Sequence, residues 1–170
     1  MGGSMTDRRG GQPKLQALGK EEGQALWFLD TLTLVKATGK ETGGAFGLIE
    51  QLLPAGSGSP YHVHRAEDET FYILEGMATF ISGDRVLKVT GDSYIFLPRD
   101  IPHGFRVEVQ TRLLVLTTPA GFERFVIEMS EPAKKLTLPP AGTPDIQKLV
   151  SVAAKYGIEI LGPLPETKAG

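Results

Sequence analysis

The sequence predicts an all-β domain, a sandwich or barrel-like double sheet, followed by one C-terminal helix. Three observations carry this. Short runs rich in Val, Ile, Leu, Phe, Tyr and Thr recur over residues 26–118, roughly eight to ten of them, a spacing that suits such double sheets. The 21 glycines and 12 prolines cluster between those runs, where turns require them. Past Pro119 the apolar spacing changes from a period of two toward the helical 3.6.

The bulk properties are those of an ordinary globular domain. A chain of 170 residues is a one-domain length and can bury about 70% of its unfolded surface without staples. Hydrophobic residues make up 41% and charged residues 22%, both typical values. A net charge of −2 argues against nucleic acid or an anionic membrane as partner. No apolar run reaches the length of a membrane span. The absence of cysteine excludes disulfides, thiolate metal sites and cysteine nucleophiles.

Taken in order, residues 1–14 are expected to be a disordered tail, with residues 1–4 a cloning scar ahead of Met5. Having no apolar core, this stretch is not a secretory signal, so a cytoplasmic location is expected. Residues 15–130 are assigned to the β-barrel and 131–170 to a C-terminal extension. Residues 26–35 read as one long strand, 36–44 as a polar turn, 45–53 as the next strand and 54–60 as a loop. Strands follow at 69–75 and 77–82, then a hairpin turn at Gly83-Asp84, then strands at 85–89, 93–97, 103–109 and 112–118. Residues 122–129 read as a helix or covering segment. A helix over about 144–156 is expected, capped by Thr143 with Pro144 at its first position. Its apolar stripe would be Ile146, Leu149, Val150 and Ala153. Residues 158–160 could add an edge strand. Trp27 is assigned to core or interface.

Function points to the histidines. His62 and His64 are two apart, so on a strand their imidazoles share a face, whereas on a helix they would diverge. Glu69 opens the next apolar run. His103 shares its predicted strand face with Phe105, Val107 and Val109, and Gly104, Arg106 and Glu108 face the other way. An inward histidine needs a partner, either a metal ion or a backbone carbonyl. Imidazole suits zinc, copper, iron and nickel, and a carboxylate widens the range toward manganese.

The stretch Gly56…His62-Val63-His64…Glu69…Gly76 resembles the first motif of the cupin superfamily, and Gly91…Pro98…His103 the second. Asp100 stands where that second motif has glycine, and Val107 where it has asparagine. The resemblance covers roughly residues 45–118. It implies a cupin double-stranded β-helix, a jelly-roll barrel, and one divalent metal ion (iron, manganese, nickel, cobalt, copper or zinc) held by His62, His64, Glu69 and His103. Glu67 is the alternative carboxylate and Asp68 a solvated turn acid. The single-domain layout, with Gly121-Phe122-Glu123-Arg124-Phe125 as a covering segment, is similar to bacterial quercetin-dioxygenase-like cupins.

That resemblance implies a dioxygenase-type oxidoreductase acting with dioxygen on a small phenolic or enolisable molecule, with Glu69 as catalytic base. Tyr61, Phe71, Ile73, Phe80, Phe105 and Val107 would line the substrate pocket, with Phe46 a further candidate. Two other functions fit the same residues: a non-oxidative isomerase, cyclase or dehydratase, and a non-catalytic ligand-binding cupin. Cupins commonly dimerise, so a homodimer is expected, with residues 26–35 as an exchanged or edge strand.

Overall fold

A computed structural model of the protein describes residues 12–166. Most of the tail expected over residues 1–14, including the cloning scar expected at residues 1–4, lies outside the described residues. The strands are β1 (Gln24–Phe28), β2 (Thr31–Ala37), β3 (Gly47–Leu53), β4 (Tyr61–His64), β5 (Asp68–Glu75), β6 (Met77–Ser82), β7 (Arg85–Thr90), β8 (Tyr94–Leu97), β9 (Gly104–Val107), β10 (Thr111–Thr118), β11 (Glu131–Pro132) and β12 (Ile158–Gly162). The helices are α1 (Gly39–Thr42), α2 (Phe122–Met129) and α3 (Ile146–Lys155). No helix among the described residues is long and apolar enough to cross a membrane.

The strands form a seven-stranded sheet in the order β11-β1-β2-β3-β10-β5-β8, a three-stranded sheet β7-β6-β9 and a two-stranded sheet β12-β4. The fold is the mostly-β jelly roll that the sequence predicts, with a helix near its C-terminus. The core lies between the large and the three-stranded sheets. Alternation selects it: Glu69, Phe71 and Ile73 of β5, and Leu113 and Val115 of β10, are buried in turn with more exposed neighbours. Phe71 stands edge-on to Phe80 at 5.0 Å and to Phe105 at 5.3 Å, geometries that aromatic quadrupoles favour.

Several local expectations are corrected. The run 26–35 is a hairpin rather than one strand, because Leu29 adopts φ 55 and reverses the chain, pairing Phe28 with Thr31 and Trp27 with Leu32. No glycine marks that turn, so composition hid it. Lying between β11 and β2, β1 is not an edge strand, and Trp27 donates through Nε1 to the Thr137 carbonyl at 2.9 Å. The polar turn at 36–44 contains α1, closed by a capping box between Thr38 and Glu41.

In α3 the cap is Asp145, whose side chain accepts from Lys148 N at 2.9 Å. The helix therefore starts after Pro144 rather than on it. Its buried stripe is Leu149, Val152 and Ala153, whereas Ile146 and Val150 are exposed; tertiary packing rotated the helix by about one position. Similarly β9 ends at Val107, leaving Val109 exposed.

The C-terminal elements complete the site-bearing end. Strand β12 pairs with β4, Ile158 against His64 and Ile160 against His62. Helix α2 buries Phe125 and Val126, with Phe125 edge-on to Phe28 at 5.7 Å. Buried Glu123 accepts from Gly39 N at 3.0 Å and from Gly121 N at 2.7 Å, which ties the start of α2 to α1. Any side chain at Gly47 would collide with that carboxylate.

Candidate metal centre

Strand β4 places His62 and His64 on one face, and backbone pairing brings in His103. His62 N donates to the His103 carbonyl at 2.9 Å and His103 N donates back to His62 at 2.8 Å. The three imidazole rings stand 4.7–5.8 Å apart. Glu69 reaches them from the inner face of β5. One potential ligand atom from each of His62, His64, Glu69 and His103 lies within 4.8 Å of the other three. Two atoms ligating one ion at about 2.1 Å stand about 3.0–3.4 Å apart when adjacent and at most about 4.2 Å apart when opposite, so the cluster closes somewhat around a bound ion.

The turn before His103 departs from the motif at Asp100, yet its geometry is kept. Asp100 takes φ 64, the left-handed region where glycine is usual and Asp is among the tolerated residues. Its amide donates to the His64 carbonyl at 2.8 Å and its carboxylate accepts from Arg65 at 3.1 Å.

The hydrogen bonds determine which ring nitrogen faces the centre. His62 Nδ1 lies 2.8 Å from the Pro60 carbonyl and His103 Nδ1 lies 2.9 Å from the Ile101 carbonyl. Carbonyls only accept, so both Nδ1 atoms carry hydrogen and both Nε2 atoms present lone pairs. His64 Nδ1 is held by Glu67 Oε2 at 3.2 Å. Glu69 Oε2 then sits 3.0 Å from His103 Nε2 and 3.7 Å from His64 Nε2, acceptor facing acceptor unless a cation or a proton stands between. His64 Nε2 is buried with no hydrogen-bond partner, which is costly without a ligand. The donor set of three imidazole nitrogens and one carboxylate oxygen therefore fits a divalent ion.

The electrostatics of His62 and Glu69 agree. Burial pushes the His62 pKa down to about 4, against the pull of Glu69. Burial would raise Glu69, yet the neighbouring imidazoles, His64 first and then His103, bring it to about 2. A neutral His62 and an ionised Glu69 are the forms a cation binds. His64 is displaced upward: burial lowers it, but Glu69 and the Glu67 hydrogen bond outweigh that.

Glu67 is neither a solvated acid nor a member of the four-atom cluster. It is buried and orients His64, the usual place of a carboxylate behind a metal-bound imidazole. Gly121 leaves room for it, since a Cβ there would strike Glu67 Oε1. Asp68 turns outward to Arg99 at 3.0 Å.

Above the cluster lies a cavity of about 90 Å³, several times the roughly 10–15 Å³ that one water needs on the same measure. His62, His64, Glu69, Phe71 and Phe105 line it. Ile73, Phe80 and Val107 do not; they are packed between the sheets. Tyr61 also points elsewhere, its hydroxyl accepting from Gly83 N at 3.0 Å, and Phe46 borders a different surface hollow. The remaining wall includes Phe122 and Phe125 of α2, from the expected covering segment, and, unread in the sequence, Phe28 to Thr31 at the β1–β2 turn, Leu149 of α3, and Ile158 and Ile160 of β12. The i, i+3 spacing of Phe122 and Phe125 was the available signal for α2.

Comparison with known proteins agrees with this geometry. Residues 49–119 match the cupin domain family. The chain is 28% identical over 112 residues to quercetin 2,3-dioxygenase of Bacillus subtilis, which covers 65% of this chain. It spans about a third of that relative's length, 33%. Among solved structures, the polyketide cyclase RemF from Streptomyces resistomycificus aligns with a TM-score of 0.53 at 23% identity, over 62% of this chain and 80% of its own. An RmlC-like cupin from Shewanella frigidimarina aligns with a TM-score of 0.55 at 13% identity, over 69% and 99%. The match to the cupin domain family spans the strands that bring His62, His64, Glu69 and His103 together.

Proposed function

We propose that the protein is a metal-dependent cupin enzyme, a dioxygenase-type oxidoreductase acting on a small phenolic or enolisable molecule. The observation that carries this reading is the convergence of three Nε2 lone pairs and the Glu69 carboxylate beneath a largely apolar cavity. A redox-active divalent ion bound there would supply the chemistry of bringing dioxygen and an oxygen-donor substrate together. The chain's own residues do the rest. His62, His64 and His103 are locked in the ligating tautomer by Pro60, Glu67 and Ile101. Glu69, which lines the cavity, accepts the proton of a substrate hydroxyl. Phe71, Phe105, Phe122 and Phe125 exclude water and give a flat molecule an apolar bed. The similarity to quercetin 2,3-dioxygenase supports the same reaction class.

Elemental analysis of protein purified without added metal, read beside an oxygen electrode, tests this. Oxygen uptake dependent on a flavonol, diketone or catechol is expected. Fully loaded protein that consumes no oxygen with any of them overturns the reading. Full turnover under strict anaerobiosis would place the protein among isomerases, cyclases or dehydratases.

The same reading includes a homodimer. The outer face of the seven-stranded sheet exposes Tyr94 at 65% and Phe96 at 49%, apolar side chains of the kind a second copy would cover. Size-exclusion chromatography with light scattering would show a single chain mass if this is wrong.

A further inference from the structure

The end of the cavity away from the histidines carries polar groups that the metal centre does not use. Thr31 and Thr33 of β2 and Gln51 of β3 are all buried, at inward positions where aliphatic side chains would pack more simply. They form one chain of hydrogen bonds. Gln51 Nε2 donates to Thr33 Oγ1 at 3.2 Å, the Thr33 and Thr31 hydroxyls are 3.1 Å apart, and Thr31 donates to the Phe28 carbonyl at 2.8 Å.

The carbonyl end can only accept, and this orders every proton. The Thr31 hydrogen goes to Phe28 and the Thr33 hydrogen goes to Thr31. The group facing Thr33 must then be a donor, so the carboxamide of Gln51 is held with Nε2 toward Thr33 and Oε1 away from it. Among the described residues Gln51 makes no other side-chain hydrogen bond, and it lines the cavity. Oε1 and the second amide hydrogen are thus presented to a ligand.

The surroundings narrow the ligand further. Asp30 lines the same cavity, with Ser57 donating to its Oδ1 at 3.0 Å. Among the described residues no lysine or arginine lines it. An anionic group at this end would meet a carboxylate and find no counter-ion, whereas a neutral hydroxyl can donate to Oε1. Position is set by register. Gln51 pairs with Leu113, while Glu69 pairs with Thr117. Gln51 therefore lies four residues further along β10 than Glu69, about 13 Å along the strands.

We infer that Gln51, fixed by Thr33 and Thr31, is a specificity-determining residue. It reads a neutral hydroxyl at the end of the substrate remote from the metal-binding atoms, so the substrate class is an elongated apolar molecule hydroxylated at both ends. The inference rests on the proposed metal-held substrate.

The test uses three probes with the same chelating head: 4-phenylcatechol, 4-(4-hydroxyphenyl)catechol and 4-(4-carboxyphenyl)catechol. Their binding to metal-loaded and metal-free full-length protein is measured by calorimetry. In the unaltered protein the hydroxylated probe is expected to bind about tenfold tighter than the unsubstituted one, and the carboxylate most weakly. Gln51→Leu should bring the hydroxyl preference, read as the affinity ratio of the hydroxylated to the unsubstituted probe, to about one. Thr33→Val, which keeps Gln51 but removes its anchor, should leave an intermediate preference of about threefold, and it serves if the leucine variant does not fold. A preference near one in the unaltered protein, a preference surviving both substitutions, or tightest binding of the carboxylate overturns the Gln51 role alone. Equal catechol affinity with and without metal overturns the metal-held reading while leaving the hydroxyl preference testable on the same data. Absence of binding by all three probes overturns both.

Discussion

The cavity has two walls built in different ways. The ligand wall draws His62, His64 and Glu69 from eight consecutive residues, with His103 joined by two backbone hydrogen bonds. The other wall draws Phe28, Phe122, Phe125, Leu149, Ile158 and Ile160 from four separate elements, β1, α2, α3 and β12. A donor set must be accurate to tenths of an ångström, and one strand with its pairing partner supplies that locally. A substrate bed needs shape and dryness, which distant elements supply by packing. Ligand choice can therefore drift through the second wall while the metal chemistry in the first stays put.

The largest expected effect tests the first wall alone. His62→Ala and His103→Ala should each lower metal affinity more than about 100-fold, since each removes a ligand outright where loss of a supporting partner already costs about 10–100-fold. Elemental analysis after dialysis reads this, while circular dichroism should show the fold retained. Stoichiometric metal in either variant would separate the cluster from metal binding.

The next substitution breaks the second wall. Phe125 is buried among Phe28, Phe122 and Tyr156. Phe125→Ala should cost about 3–5 kcal/mol in denaturant unfolding with metal stoichiometry preserved at low temperature. A change below about 1 kcal/mol would mean that the cover is not part of the cooperative core.

Glu67 sharpens the contrast, because it sits behind the first wall and is sheltered by Gly121 of the second. Glu67→Gln should weaken metal affinity about 10–100-fold at neutral pH. It should also shift the pH dependence. Protons compete with metal at an imidazole, so uptake falls as pH drops through the His64 pKa, which Glu69 and Glu67 hold above its ordinary value. Replacing Glu67 removes one cause of that raised pKa, so the pH below which affinity falls from its own neutral-pH value should move lower in the variant. Metal titrations between pH 5 and 8 check the direction, and a shift the other way would deny Glu67 its role. The smallest effect is at the edge of the cover. Asp145→Ala removes the cap of α3 and should cost about 1 kcal/mol with metal binding unaltered, by thermal unfolding with and without metal.

How legible each part was follows from the range of the interactions that decide it. His62, His64, Glu69 and His103 were legible because strand parity and motif spacing act over a few residues. Glu67 was weighed as a ligand on the same parity, but a bend at Arg65 and Ala66 separates β4 from β5 and turns it behind His64. Leu29 gave no sign of a turn, since a positive φ without glycine is imposed by the pairing of β1 with β2. Glu50 and Gln51 look alike in sequence. Only the sheet shows Glu50 on the outer face, bound to Arg112 at 3.1 Å, and Gln51 inside.

By itself the sequence determined the double-sheet class and the run of strands, because alternation is read within one strand, and the resemblance of its two motifs to those of cupins implied the jelly roll and the four residues of the cluster. The tertiary structure decided which ring nitrogen each histidine offers, where Glu67 acts, how α3 is rotated and what closes the cavity. Those depend on partners many residues away, such as Ile158 against His64 and Phe125 against Phe28, whose meeting is fixed by the packing of the whole chain rather than by any stretch of it.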